Sequence, residues 1–446
     1  MSLSGKVSFH AAAKATATAI VTAALVGATV AAPASVSAQS SEAFKGIADA
    51  TPPSAVKKGS PMKPVKKYTE PTNDSGLVIT TPPAEPGKLM AEVPLAPSVG
   101  LADSATQLRF SYSTINQHGK VAAATATVFL PQGTAPEGGW PVMAWSHGTV
   151  GLADQCAPSI NVPSGRDRDY LNQWLREGYA IVAADYVGLG TPGLMSYLNG
   201  TTTARSVTDA VLTARSTTAG NQLAKKWAVI GQSQGGGAAL HVAHKATANS
   251  KAAGLDFRGT IATGAPAYIE ELVIAGGPTF PPVPMPAAMN AYTAYILAGF
   301  RDAYPQFDID STLTAEGKKM VDAAETTCLG EMQDALDGTN VARMFTKPLR
   351  SLPGIEGALR KYMGTPTSGY DRPVFLAHGL QDYDVPTPIG LALNSEMWLK
   401  QFAAGAGSAG GSGNREVVVK WYNTDHGETV PRSLADSVPF ARRILR

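Results

Sequence analysis

The chemistry of this chain starts at Ser233. It stands in Gly231-Gln232-Ser233-Gln234-Gly235, after the apolar run Trp227-Ala228-Val229-Ile230 and before the helix-like Gly236-Gly237-Ala238-Ala239-Leu240-His241-Val242-Ala243. A Gly-x-Ser-x-Gly between a strand and a helix is a nucleophile elbow, a turn so tight that small residues must flank the serine and its hydroxyl stands above the sheet. Out of that context the same letters would be a Gly-rich surface turn. A serine hydroxyl is a weak nucleophile at its own pKa and needs a base beside it. Of the seven histidines, His426 in Tyr422-Asn423-Thr424-Asp425-His426-Gly427 is the best candidate, because it lies just past the last expected strand. His10 is near the N-terminus, His118 shares an expected hairpin turn with Gly119, and His147 reads as a structural turn residue. His241 and His244 have the i, i+3 spacing of a metal pair but no third ligand, so a plain helix face is expected and no metal site.

The base in turn needs a carboxylate to fix its tautomer and to stabilise the imidazolium. His378-Gly379-Leu380-Gln381-Asp382-Tyr383-Asp384-Val385-Pro386 follows the penultimate expected strand and offers Asp382 first and Asp384 second. Loops beyond the carboxyl ends of strands hold the sites of open α/β sheets. Ser233, Asp382 and His426 run in the order nucleophile, acid, base expected of serine hydrolases on such sheets. A tetrahedral intermediate also needs backbone donors for its oxyanion. Gln234 supplies one N–H; the second comes from His147-Gly148-Thr149-Val150-Gly151, with Thr149 preferred and Val150 or Gly151 as alternatives. The glycines of Asp185-Tyr186-Val187-Gly188-Leu189-Gly190 give that loop a shaping role. The chemistry indicated is acyl transfer to serine and hydrolysis, with no metal or organic cofactor.

These groups need a sheet to hold them. Strands are expected over Val121–Leu130, Pro141–Ser146, Tyr179–Ala184, Trp227–Ile230, Thr260–Thr263, Pro373–Ala377 and Glu416–Tyr422. Helices are expected over Asp169–Glu177, Thr203–Ala219 and Pro388–Phe402. Apolar strands alternating with helices mean an α/β fold with a mostly parallel sheet covered on both faces. The alternation lapses between Gly264 and Tyr370, where Ala287–Phe300 and Thr314–Leu336 read as helices of an inserted cap. The Gly405–Gly413 stretch is a Gly/Ser-rich loop.

Lys6, His10 and Lys14, the diluted apolar run Ala15–Gly27 and the small-residue site Val36-Ser37-Ala38 read as a signal peptide cleaved after Ala38. The product is expected to be secreted, free or held at the cell envelope, and no later stretch is long and apolar enough to span a bilayer. Residues 39–104 form a Pro-rich segment expected to lie as an extended arm, since Pro52-Pro53, Pro82-Pro83, Pro94 and Pro97 break helices and central strands. The scheme is therefore signal peptide 1–38, arm 39–104, core 105–263, cap 264–370 and core 371–446. A formal net charge of +2 argues against a nucleic-acid footprint. The only cysteines, Cys156 and Cys328, form a disulfide if the chain is secreted and are two buried thiols otherwise. A monomer is the default.

Together these residues resemble the secretory lipase family of α/β-hydrolases, which includes fungal lipase A, with this chain a bacterial-type member. The resemblance rests on Ser146-His147-Gly148-Thr149, Cys156-Ala157-Pro158-Ser159, Asp185 to Gly193, the elbow, Asp382 to Pro386 and Asp425-His426-Gly427, and spans roughly residues 105–446. It implies an α/β-hydrolase fold with a helical cap over the site and a secreted esterase or lipase acting on acylglycerols or other lipid esters, in contact with a lipid interface. It implies Ser233 as nucleophile, Asp382 as acid, His426 as base, and a Cys156–Cys328 bridge. Gln232 and Gln234 flank the serine where tyrosine or histidine is common, which bears on substrate preference. Polyesterase, acyltransferase and peptidase activities use the same three residues, and a non-catalytic binding module on this scaffold is the rival outside enzymology.

Overall fold

The computed structural model describes residues 36–66, 76–403 and 405–445. The expected signal peptide lies outside these residues except for its last three positions, which fall in the first turn of a helix. The strands are β1 (Leu89–Pro94), β2 (Ser104–Ile115), β3 (Val121–Pro131), β4 (Trp140–Ser146), β5 (Ala180–Ala184), β6 (Leu223–Gln232), β7 (Asp256–Thr263), β8 (Val374–Gly379) and β9 (Val417–Tyr422). The α-helices are α1 (Val36–Ala50), α2 (Gly165–Arg176), α3 (Gly200–Ala214), α4 (Gln234–Ala252), α5 (Ile269–Ala275), α6 (Ala287–Ala303), α7 (Ala315–Thr326), α8 (Leu329–Leu336), α9 (Ile355–Met363), α10 (Thr387–Leu399) and α11 (Thr429–Leu445). Among the described residues the chain divides into two compact units: Tyr268–Lys361 with 36–66, and 76–267 with 362–445.

The second unit carries a nine-stranded sheet in the order β1-β2-β3-β5-β4-β6-β7-β8-β9. From β5 across β4, β6, β7, β8 and β9 every pairing is parallel. Each of these strands therefore ends at the same edge, which is where β6, β7, β8 and β9 release the loops of interest. β1, β2 and β3 form an antiparallel extension, joined to β5 antiparallel through Ala126–Phe129. This is the α/β-hydrolase fold. Its parallel strands are almost continuously apolar because helices cover both faces. On one face Met143, Trp145, Ile181, Ile230, Ile261 and Phe375 pack with Tyr170 and Trp174 of α2 and Val430, Phe440 and Ile444 of α11.

The first unit is helical, and its α1 corrects the extended-arm expectation. Phe44 and Ala48, one turn apart on α1, are buried against Ala275 and Phe280. Phe44 meets Phe280 edge to face, with ring centroids 6.0 Å apart. Proline cannot interrupt this helix, because the first one after residue 35 is Pro52. The rest of the arm also departs from an unpaired chain. Leu89–Pro94 forms β1 at the edge of the sheet, where a terminal proline costs no ladder bond. The helix expected over Thr314–Leu336 is two helices, α7 and α8, broken at the extended Thr327 and Cys328. Both cysteines are disulfide-bonded, which excludes the free-thiol alternative.

Candidate active site

β6 delivers Ser233 in a backbone conformation that a side-chain-bearing residue rarely adopts, φ 57° and ψ −125°. Such strain persists only where the surroundings over-determine it. Here glycines do so. A Cβ on Gly231 would stand 2.0 Å from the carbonyl oxygen of Gly235, and one on Gly235 would stand 1.9 Å from that of Ser146. The Ser233 N–H is anchored on the Thr263 carbonyl at the end of β7, 2.9 Å away. Gln234 opens α4, so its N–H has no acceptor within the helix and belongs to the positive end of the helix dipole.

β8 and β9 deliver the other two groups. Asp382 is buried in the loop after β8 and His426 in the loop after β9. The Nδ1 of His426 donates to Oδ2 of Asp382 at 2.7 Å. The other oxygen, Oδ1, accepts the backbone N–H groups of Asp384 at 3.0 Å and Val385 at 2.9 Å. Asp384 thus contributes a backbone donor to Asp382. His378 flanks the same carboxylate, its Nε2 3.5 Å from Oδ2 while it donates to the Val385 carbonyl at 3.0 Å. With Nδ1 carrying the proton, Nε2 of His426 is the basic nitrogen. That nitrogen is buried and makes no hydrogen bond, so the Ser233 hydroxyl is not bonded to it in this structure.

Burial disfavours the imidazolium of His426, but the hydrogen bond and charge of Asp382, helped by Asp384, outweigh it and raise the pKa above the usual 6.5. Gly264 sets the ring's position. It follows β7 with φ +55°, and a Cβ there would lie 2.7 Å from Cε1 of His426. Ser233 and His426 are therefore held against adjacent residues, Thr263 and Gly264.

Thr149 lies in the loop after β4, its hydroxyl 2.6 Å from the hydroxyl of buried Tyr197. Gly148 in that loop abuts the elbow, since a Cβ there would meet Oε1 of Gln232 at 2.4 Å. His147 is held within its own turn. Its Nδ1 donates to the Gly148 carbonyl at 2.7 Å, and its ring stacks on Tyr186 with centroids 4.1 Å apart. Burial lowers the pKa of His241 to about 4. Among the described residues no group of histidine, cysteine or carboxylate side chains is arranged to hold a metal ion.

Sequence reasoning missed Tyr197, Gly264 and Arg166. Arg166, in the first turn of α2, donates from Nη2 to Oε1 of Gln232 at 3.3 Å. Nothing local in the sequence marks any of the three, since each acquires its neighbours through chain crossings.

The family profile of the secretory lipases matches residues 160–388, more than half of the chain. The chain belongs to the secretory lipase family. It is a carboxylic ester hydrolase by that membership. No curated protein matches the sequence. Solved structures share the fold at low identity. Candida antarctica lipase A in its closed state is 18% identical, with 81% of this chain and 82% of that one covered at a TM-score of 0.62. A hydrolase from Legionella pneumophila is 18% identical over 80% of this chain and 98% of its own, TM-score 0.64. The rice cell wall degrading esterase LipA from Xanthomonas oryzae is 17% identical over 81% and 98%, TM-score 0.61. Among the described residues no helix is long and apolar enough to cross a membrane.

Proposed function

We propose that this secretory lipase hydrolyses lipid esters through an acyl-enzyme, with Ser233 as nucleophile, His426 as base and Asp382 as its carboxylate. Nε2 of His426 takes the hydroxyl proton as Oγ of Ser233 bonds to the ester carbonyl carbon. The carbonyl oxygen becomes an oxyanion held by the N–H groups of Gln234 and Thr149. The carbon–oxygen bond to the alcohol then breaks, and His426 returns the proton to the leaving alkoxide. Water deprotonated by His426 attacks the acyl-serine; the acyl–Oγ bond breaks, His426 returns the proton to Oγ, and the acid leaves with Ser233 restored. The observation that carries this reading is the buried 2.7 Å pair of His426 and Asp382, with its basic nitrogen unbonded, at the strand edge that holds a strained serine. Secretion after removal of residues 1–38 belongs to the same proposal and is supported by the family and by the composition of the N-terminus.

The test is hydrolysis of p-nitrophenyl esters from acetate to palmitate, with and without aggregated substrate, against Ser233→Ala. A Ser233-dependent rate that peaks on long chains and rises on aggregates is the expected result. A peak on short soluble chains would make the enzyme a carboxylesterase, and a Ser233-independent rate would overturn the assignment.

A further inference from the structure

The guanidinium of Arg166 bonds the neighbour of the serine and stands beside the neighbour of the histidine of the proposed site. Nη2 donates to Gln232, the residue before Ser233, at 3.3 Å. Nη1 lies 3.7 Å from the position a Cβ would take on Gly427, the residue after His426. Nε and Nη2 also engage Oδ1 of Asp167 at 2.9 and 2.8 Å, which fixes the plane of the group. Gln232 is buried, and its Oε1 packs against Gly148 of the loop that carries Thr149. One cation therefore bonds the elbow, reaches the loop of Thr149 through Gln232, and stands beside the loop of His426.

Its place in the helix is unfavourable. α2 opens with Ser164, whose hydroxyl accepts the Asp167 N–H as an N-cap. The first turn of a helix favours anions such as Asp167 and disfavours cations. An arginine at its second position is therefore not explained by helix stability. Its contacts explain it.

Building on the Ser233–His426–Asp382 reading, we infer that Arg166 is a positioning residue of the hydrolytic site, holding Gln232 under the nucleophile and placing a positive charge beside the base. Charged groups from two elements act on His426. Asp382 and Asp384 act from the loop after β8 and Arg166, with its counterion Asp167, from α2, while His378 of β8 flanks the Asp382 carboxylate. The carboxylates favour the imidazolium, and Arg166 opposes it. Arg166 thus keeps the base from being over-stabilised in its protonated, inactive form. Asp167 moderates that effect, because it neutralises part of the guanidinium charge.

The two residues can be driven in opposite directions. The readout is the acid limb of kcat/KM against pH for p-nitrophenyl butyrate hydrolysis, with Ser233→Ala as control. Arg166→Met is expected to move the limb upward by about half a pH unit, the size of a charge effect in a partly solvated site. Asp167→Asn is expected to move it downward by a smaller amount. Arg166→Lys restores the charge without the flat donor plane, so the limb returns while kcat stays a few-fold low. Both shifts should shrink in high salt. A packing defect would lower kcat without moving the limb, and Arg166→Gln serves if the methionine variant does not fold. Coincident limbs across the set, with Ser233-dependent turnover intact, would overturn this inference alone. Turnover that does not depend on Ser233 would overturn the proposed function and the inference with it.

Discussion

His426 and Asp382 share a 2.7 Å hydrogen bond between Nδ1 and Oδ2, and the remaining oxygen of that carboxylate is taken by the backbone N–H groups of Asp384 and Val385. Asp382 cannot rotate away without losing both backbone bonds, so it holds the ring in a single tautomer. Asp382→Asn keeps the shape and the backbone acceptor but presents no anion. A loss in kcat of about 10³ to 10⁴ is expected, with the fold intact by circular dichroism. A loss below about tenfold would place the functional carboxylate elsewhere.

On the proposed mechanism, the raised pKa of His426 sets the pH dependence of activity. If His426 is the base as proposed, only its neutral ring can take the serine proton, so kcat/KM should rise with pH along a single limb whose midpoint lies above the ordinary histidine value of about 6.5. The linked stability has the opposite sign. A folded-state pKa above the unfolded one stabilises the fold below the unfolded value, and that contribution is lost as pH rises through the raised pKa. His426→Gln should therefore cost more stability on the acid side of the limb than on the alkaline side. Denaturant titrations on both sides check this, and a midpoint below the ordinary value would contradict the pairing.

On the proposed mechanism, Gly264 ties activity to a single missing methyl group. A Cβ there would press on Cε1 of His426 at 2.7 Å, and the φ of +55° disfavours any side chain. Gly264→Ala should lower kcat by about a hundredfold, since a misplacement near 1 Å costs that much. Gly357 in α9 is the control, because a Cβ there meets nothing within 4 Å. Gly357→Ala should leave kcat unchanged and raise stability by about 0.5 kcal/mol. Equal kcat in the two variants would refute the positional argument.

Glu270 is a buried carboxyl in α5 whose Oε2 has no partner. Burial pushes its pKa up to about 7. Its own backbone N–H and Arg360 oppose that rise, and Glu271 adds to it. Folding therefore favours the protonated form, and the stability this gives is present below the unfolded value and lost as pH rises to about 7. Glu270→Gln removes the titration. Its stability relative to the parent should rise across that window by on the order of 3 kcal/mol. A difference independent of pH would show that Glu270 stays ionised in the fold.

The elbow was legible because its demands are local: Gly231 and Gly235 each lack a Cβ for which the turn has no room. The order of strands that carries Ser233, Asp382 and His426 could also be read, since each follows an apolar run. Asp382 and Asp384 could not be separated by sequence with the same force. They are two residues apart, and only the Asx-type turn decides which carboxylate meets the ring and which residue lends its N–H. α1 was hidden by averaging, because a proline-free stretch was read with the Pro-rich segment that follows it. Arg166 and Tyr197 reach Gln232 and Thr149 through the fold's crossings, for which one sequence holds no signal.

The most direct measurement of the central claim is covalent. The purified enzyme is treated with a fluorophosphonate and its adduct located by peptide mass spectrometry. A single adduct on Ser233 is expected, absent in Ser233→Ala and strongly slowed in His426→Ala. Labelling of another residue, or unchanged labelling without His426, would contradict the assignment of Ser233 and His426 as nucleophile and base.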